Sequence, residues 1–454
     1  MPPKDSSYLI KAFESLVAPH LSRTLGYEVF RRRQHWTKDP KLPKSKNFSG
    51  IDPAVLQNIV SVRDSRLFDL VDINRGNERM ANGKNSKNAN MEKEQVCKTL
   101  CIDGGGVRGV LTIQILKRII ERYPTFLDNV HCIFGTSVGG ILSLLLASGY
   151  SIQETEEIFD FAIPYIFYKN PYRIFNPYRS RYSDKDKEAL FKYFFQEITL
   201  AELTKLTSVI SFRLDGQRSL KNSFFDKEGW RPAIFSNIPK GKSKVEPDLE
   251  MKAYEAAMMT SAAPTFFPVR NGYTDGGIVA NNPSILALSK ILGHFPHINT
   301  NSTAILSIGS GAFGRHTNIF SSVSREGELQ YNKKNMNATP VLKHADWGIA
   351  QWIPFLLDLI LDGDQITTDL VMHHLLNDDM YHRVDPYLPH PVPLDDTTSM
   401  VMLKEFGKQV DLTDTFKFVE RNFIVDQEFT DDDVFNKADS QSGYTEAWKS
   451  SVGK

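Results

Sequence analysis

Val96-Cys97-Lys98-Thr99-Leu100-Cys101-Ile102-Asp103-Gly104-Gly105-Gly106-Val107-Arg108-Gly109 is a strand-like apolar run that ends in glycines, and Val110 to Arg122 follows with helical periodicity. Glycines placed between a strand and a helix let the backbone take positive φ and turn N–H groups toward one point, where the helix dipole also favours negative charge. Such a loop binds an anion or a developing oxyanion. Read alone, it is also consistent with a tight turn that packs helix on strand, or with a nucleotide loop. A nucleotide loop would want an acidic ribose partner about twenty residues on, which Glu121 and Asp128 only loosely supply, or a closing Lys-Ser/Thr, which is absent.

The same texture continues outward from this stretch. Val130 to Phe134 reads as a second strand, Val138 to Ala147 as an apolar helix stopped by Gly149, and further strands are expected at Val209 to Leu214, Ala233 to Phe235 and Ala304 to Ile308. Strands separated by helical segments imply parallel pairing in a sheet covered on both faces, hence an α/β fold. Upstream, Leu9, Phe13, Leu16, Val17 and Leu21 recur at helical spacing before Arg31-Arg32-Arg33 and a Lys/Pro-rich stretch to Lys46, and Ile51 to Ile73 carries a weaker helical pattern. Asn74 to Glu94 is nearly devoid of large apolar residues. The expected organisation is a helical, partly basic extension over 1–73, a flexible linker over 74–95, the α/β domain over 96–390, and a C-terminal extension over 391–454 whose acidic end is mobile.

Composition sets limits on this reading. At 454 residues with 41% apolar and 24% charged side chains, the chain is too apolar for general disorder and lacks the bias of a collagen or a long coiled coil. Its longest apolar runs, around Ile141 to Ala147 and Phe355 to Leu361, fall short of the roughly eighteen residues a spanning helix needs. The N-terminus has no uninterrupted apolar h-region, and three cysteines, Cys97, Cys101 and Cys132, sit in apolar runs. Both features suit a cytoplasmic protein with reduced core thiols. Net charge is zero, which argues against nucleic acid as partner. Residues 1–95 nevertheless hold 17 basic against 11 acidic residues, the excess lying between Ser15 and Lys46, which leaves room for peripheral contact with an anionic membrane surface. The Asp431-Asp432-Asp433 run lacks the spacing and glycine of a calcium loop, so no metal is expected.

Gly135-Thr136-Ser137-Val138-Gly139-Gly140 again lies between a strand and a helix. In a G-x-S-x-G elbow the serine occupies a strained turn, and the glycines avoid collisions with strand and helix while Oγ is lifted to the sheet's C-terminal edge. A serine used for acyl transfer needs a base and an oxyanion hole. The Gly104 to Gly106 loop could supply the hole. Asp275, in Tyr273-Thr274-Asp275-Gly276-Gly277-Ile278-Val279-Ala280-Asn281-Asn282-Pro283, is the conspicuous candidate base, although Asp-Gly-Gly is also ordinary turn chemistry.

Taken in this order, the glycine-rich loop, the G-T-S-x-G-G elbow and the D-G-G followed by N-N-P resemble the patatin-like phospholipase family. Thr260-Ser261-Ala262-Ala263-Pro264-Thr265-Phe266-Phe267-Pro268, Leu306-Ser307-Ile308-Gly309-Ser310-Gly311 and the region from Trp347 to Pro386 extend the resemblance over roughly residues 96–390. Ser310 stands where the family more often has Thr. The resemblance implies a three-layer α/β sandwich with a mostly parallel central sheet flanked by helices, and a lipid acyl hydrolase of phospholipase A or lysophospholipase type that uses no cofactor. It implies Ser137 as nucleophile and Asp275 as base, a dyad in place of a Ser-Asp-His triad. Gly104, Gly105, Gly106 and Val107 would line the oxyanion hole, with Asp103 capping the turn and Arg108 either acting electrostatically or fixing the loop through an ion pair. Gly109, Gly135, Gly139, Gly276 and Gly277 would shape the motifs, and a phospholipid or other acyl-ester lipid would be the substrate.

Overall fold

The first strand of the glycine-loop stretch lies at the centre of a sheet in the computed structural model of the protein, which describes residues 96–174, 176, 178–215, 229–238, 247–295, 297–312, 327–330, 341–345 and 356–424. The strands are β1 (Cys97–Ile102), β2 (Cys132–Thr136), β3 (Leu206–Arg213), β4 (Arg231–Ser236), β5 (Tyr273–Asp275), β6 (Thr303–Ile308), β7 (Gly327–Gln330), β8 (Val341–Ala345) and β9 (Tyr381–Val384). Among the described residues the main sheet runs β4-β3-β2-β1-β6-β9, with β5 also on β3, while β7 and β8 form a separate antiparallel pair. Pairing is parallel from β3 through β2, β1 and β6 to β9.

The helices are α1 (Gly109–Arg122), α2 (Val138–Ala147), α3 (Ile152–Ile166), α4 (Pro171–Ile174), α5 (Lys185–Phe195), α6 (Ala253–Thr260), α7 (Gly277–Ala280), α8 (Ser284–His294), α9 (Leu356–Leu375), α10 (Met400–Gln409) and α11 (Thr413–Val419). Every residue of β1, β2 and β6 is buried, so the sheet is covered by helices on both faces, which is why these strands read as near-continuous apolar runs. In one covering cluster Cys97, Cys101, Cys132, Phe134 and Ile305 pack against Ala287, Leu288 and Ile291 of α8 and Met372 of α9. Each large aliphatic or aromatic side chain so buried contributes on the order of 1.5–3 kcal/mol. The three cysteines are free thiols within it. Local signals set the ends of α3: the Ser151 hydroxyl accepts from the Glu154 amide at 3.2 Å while the Glu154 carboxylate accepts from the Ser151 amide at 2.7 Å, a capping box written in the sequence as S-x-x-E.

The sheet is mostly parallel, as the resemblance implied, and at one edge β4 and β5 both run antiparallel to β3. Beyond residue 390 the chain continues to pack on this body. Leu394 O accepts the Val107 amide at 2.8 Å, and Arg118 of α1 donates to Gly407 O and Val410 O at 3.0 and 2.6 Å, so residues through Ile424 are built into the body. The N-terminal helices and basic loop over 1–73, the linker over 74–95, Trp347 and the acidic end after Asp431 lie outside the described residues.

The pairing on β3 positions the site. Thr136, the last residue of β2, pairs with Ile210, and Asp275, the last residue of β5, pairs with the next residue, Ser211. Because β4 occupies the other edge of β3 throughout, β5 continues the line of β2 beyond its end. Ser137 and Asp275, 138 residues apart in sequence, are thereby brought side by side.

Candidate active site

Ser137 lies where β2 turns into α2, at φ 53 and ψ −121, a conformation that costs a side-chain-bearing residue roughly 1–3 kcal/mol and persists only where the surroundings enforce it. Gly139 enforces it from the helix side: a Cβ there would lie 2.2 Å from Ile102 O and 2.5 Å from Asp103 O, so only glycine lets the first turn of α2 approach the end of β1. Thr260 enforces it from α6. Its Oγ1 accepts the Ser137 amide at 2.9 Å and donates to Ile210 O on β3.

Ser137 Oγ donates to Asp275 Oδ2 at 2.5 Å. The other carboxylate oxygen accepts the Gly277 amide at 2.7 Å, and the Asp275 amide donates to Ala262 O at 3.0 Å, so both ends of the residue are held. Asp275-Gly276-Gly277 carries the chain from β5 into α7 and not around a hairpin, with Gly276 against Ile210 O and the Gly277 amide on the carboxylate. Asp275 is 4% exposed, and burial lifts its pKa to about 6, against the opposing pull of the Ser137 hydroxyl, the Gly277 amide and the charge of Lys187.

The glycine loop crosses in front of this pair, and it divides the four residues expected to form the oxyanion hole. The Gly104 amide donates to Asn281 O at 3.1 Å and the Val107 amide to Leu394 O at 2.8 Å, so both are engaged by carbonyls. Gly105 and Gly106 border the cavity above Ser137, as does Val138 at the start of α2. Gly106 has φ 57, and a Cβ on it would lie 2.3 Å from Leu394 O. Asp103 does not cap the turn. Its carboxylate is fully buried and bound by Arg383 Nη2 at 2.7 Å, and Arg383 also reaches Asp385 at 2.8 Å and Ser307 Oγ at 2.9 Å. Arg108 is buried and fixes the loop through carbonyls, donating to Gly105 O and Gly311 O at 3.3 Å each. Gly109 lies against Val138, and Gly135 against Gly139 O.

Ser137 and Asp275 open into a cavity lined mostly by apolar side chains. Among the described residues five polar side chains line it, those of Ser137, Asp275, Lys187, Ser261 and Asn281, and the others are apolar or glycine. Phe159, Ile163, Ile166 and Phe167 of α3 and its end form one wall, so this aromatic segment is both core and cavity lining. Among the described residues no histidine lines the cavity. His131 Nδ1 accepts the Lys98 amide at 3.0 Å, His294 Nδ1 lies 2.6 Å from Lys290 O, and His382 Nε2 lies 3.0 Å from Thr415 Oγ1.

Sequence reasoning assigned no role to Thr260, Asn281 or Lys187. Thr260 and Asn281 fall inside quoted motifs, so their motif membership was the available signal. Lys187 stands in Asp184-Lys185-Asp186-Lys187-Glu188, which reads as a solvated helix start, and nothing in the local pattern marks it as buried.

Residues 100–288 match the sequence profile described as patatin-like phospholipase. CotR of Bacillus subtilis, a sporulation protein named as a hydrolase, is 28% identical over 339 residues, covering 72% of this chain and 98% of its own. A cGAMP-activated phospholipase of Vibrio cholerae is 26% identical over 373 residues, covering 73% of this chain and 97% of its own. Among solved structures, VipD from Legionella pneumophila aligns with a TM-score of 0.35 at 13% identity, over 76% of this chain and 72% of that one.

Proposed function

We propose that the chain, whose residues 100–288 match the patatin-like phospholipase profile, cleaves fatty-acyl esters of phospholipids, in the manner of a phospholipase A or lysophospholipase, through a dyad of Ser137 and Asp275. The observation that carries this reading is the 2.5 Å contact from Ser137 Oγ to Asp275 Oδ2 at a strained elbow opening on an apolar cavity. Ser137 Oγ attacks the ester carbonyl as Asp275 takes its proton, and the oxyanion is received by the amides of Gly105 and Gly106 at the N-terminal end of α2. Collapse of the tetrahedral adduct expels the lysolipid alcohol, which takes the proton from Asp275 and leaves an acyl-serine. Water, deprotonated by the same carboxylate, then releases the fatty acid and restores Ser137. A carboxylate with pKa about 6 is a better proton acceptor than an ordinary aspartate, and the low-dielectric cavity strengthens the oxyanion contacts. Among the described residues no histidine borders the cavity in the place a triad's base would take. Asp275→Asn should lower kcat by several orders of magnitude on a soluble ester, while His294→Ala and His382→Ala retain substantial activity. A folded histidine variant as inactive as Asp275→Asn would replace the dyad with a triad.

Lipid surfaces suit the exterior. Beyond the cavity-lining Phe167, Tyr168, Tyr172 and Tyr178 are 54%, 90% and 82% exposed, with Lys169 and Arg179 exposed among them. Tyrosines beside cations favour a membrane interface, and the basic residues between Ser15 and Lys46 add attraction to anionic headgroups. Among the described residues no helix is long and apolar enough to cross a membrane. Sedimentation of the full chain with phosphatidylserine vesicles should show binding that weakens with salt; salt-insensitive or absent binding would contradict membrane contact of this kind.

A further inference from the structure

Among the described residues Lys187 is the one lysine that lines the cavity, and the acyl-transfer steps leave it without a role. It projects from α5, is 2% exposed, and borders the same space as Ser137 and Asp275. Its Nζ donates to Ser261 O at 2.9 Å and Ser261 Oγ at 3.2 Å, and it lies 3.9 Å from the centre of the Phe267 ring. Among the described residues no carboxylate lies within ion-pair distance of it. A buried ammonium without a paired carboxylate costs stability, and an apolar side chain would fill the same space without that cost. Packing therefore does not account for a lysine here.

Two features of the geometry tie it to Asp275. The first is mechanical: Lys187 holds the carbonyl of Ser261, and the carbonyl of the next residue, Ala262, receives both the Asp275 amide at 3.0 Å and the Thr274 hydroxyl at 2.8 Å. The second is the shared low-dielectric cavity, in which a positive charge near a carboxylate favours its ionised form even beyond hydrogen-bond range. We propose that Lys187 is a positioning residue for the Ser137–Asp275 dyad, whose charge keeps Asp275 ionised and whose hydrogen bonds fix the turn that carries it. The inference rests on the dyad reading.

The surrounding charges are consistent with this role. Burial pushes the Lys187 pKa down to about 7; Asp275 and Asp184 pull it upward, and Arg270 adds to the depression. Asp275 faces Lys187, the Ser137 hydroxyl and the Gly277 amide. A positive charge near a carboxylate, even beyond ion-pair distance, lowers the carboxylate's pKa, so removing the charge raises it, and the acid limb of kcat/KM moves to higher pH.

The test is the pH profile of kcat/KM on a soluble short-chain ester, measured for the full chain and for Lys187→Gln, Lys187→Met, Lys187→Arg and Asp275→Asn. Lys187→Gln keeps an N–H donor for Ser261 O but carries no charge, and should shift the acid limb upward by about one pH unit. Lys187→Met should shift it likewise, because it too removes the charge. Lys187→Arg stays cationic and should leave the limb in place. A uniform drop in rate with an unmoved limb in the neutral variants would overturn the inference and leave Lys187 a structural residue. Should Lys187→Met fail to fold, Lys187→Gln decides alone. If Asp275→Asn retains near-parent activity, it is the dyad reading that fails, whatever the lysine variants show.

Discussion

Ser137 illustrates how far a single residue's chemistry is set by its neighbours. Its hydroxyl meets a carboxylate at 2.5 Å, its amide is held by Thr260, and its backbone sits at φ 53 because the turn allows little else. An aspartate at the reference value of about 3.9 would be a weak acceptor for a serine proton; burial changes that. Since Asp275 must be ionised to act, kcat/KM of the parent protein should fall as pH drops through about 6, well above the usual carboxylate range. A profile flat down to about pH 4 would mean that the carboxylate is more solvated, or less essential, than its placement implies. Ser137 and Asp275 were legible because each sits in a short motif whose glycines report the backbone around it. Lys187 was not, because helix periodicity describes one helix and its burial depends on Ser261 and Phe267 arriving from another part of the chain.

Elements bring these residues together through strand register. Thr136 and Asp275 pair with consecutive residues of β3, so the dyad is a consequence of β5 taking up where β2 stops. The central strands were readable as apolar runs between glycines, and α2 begins and ends where its pattern says it should. The antiparallel return of β4 and β5 was not readable, since alternating strands and helices indicate parallel pairing and contain no signal for a strand that doubles back. The α10 and α11 segment was likewise missed as part of the body, because its contacts with α1 and the glycine loop are made across nearly the whole sequence. At Gly139, α2 meets the end of β1 with no room for a Cβ. Gly139→Ala should destabilise the fold by roughly 1–3 kcal/mol through overpacking against two carbonyls, and should reduce turnover beyond the effect on folding by displacing Ser137. Thermal unfolding and specific activity of the folded fraction check it; an alanine variant with parent midpoint and rate would show that the elbow is looser than the contact distances indicate.

At the scale of the described body, a mostly parallel sheet carries helices on both faces, the proposed nucleophile stands at the end of β2, and an apolar cavity borders it. The proposed catalytic pair bordering an apolar cavity suits a substrate with a polar ester and a long hydrocarbon tail, the cavity taking the tail and the glycine loop the carbonyl in that reading. Its lining contains too few polar groups to recognise a sugar or a nucleotide. The most direct measurement is mass spectrometry of the products formed when the full chain and its Ser137→Ala variant are incubated with vesicles holding phospholipids and neutral acyl esters. Free fatty acid and the matching lysolipid from the parent protein, with neither from a Ser137→Ala variant of unchanged thermal midpoint, is the predicted result. Equal release by both proteins, or none from any acyl ester by the folded parent, would contradict it.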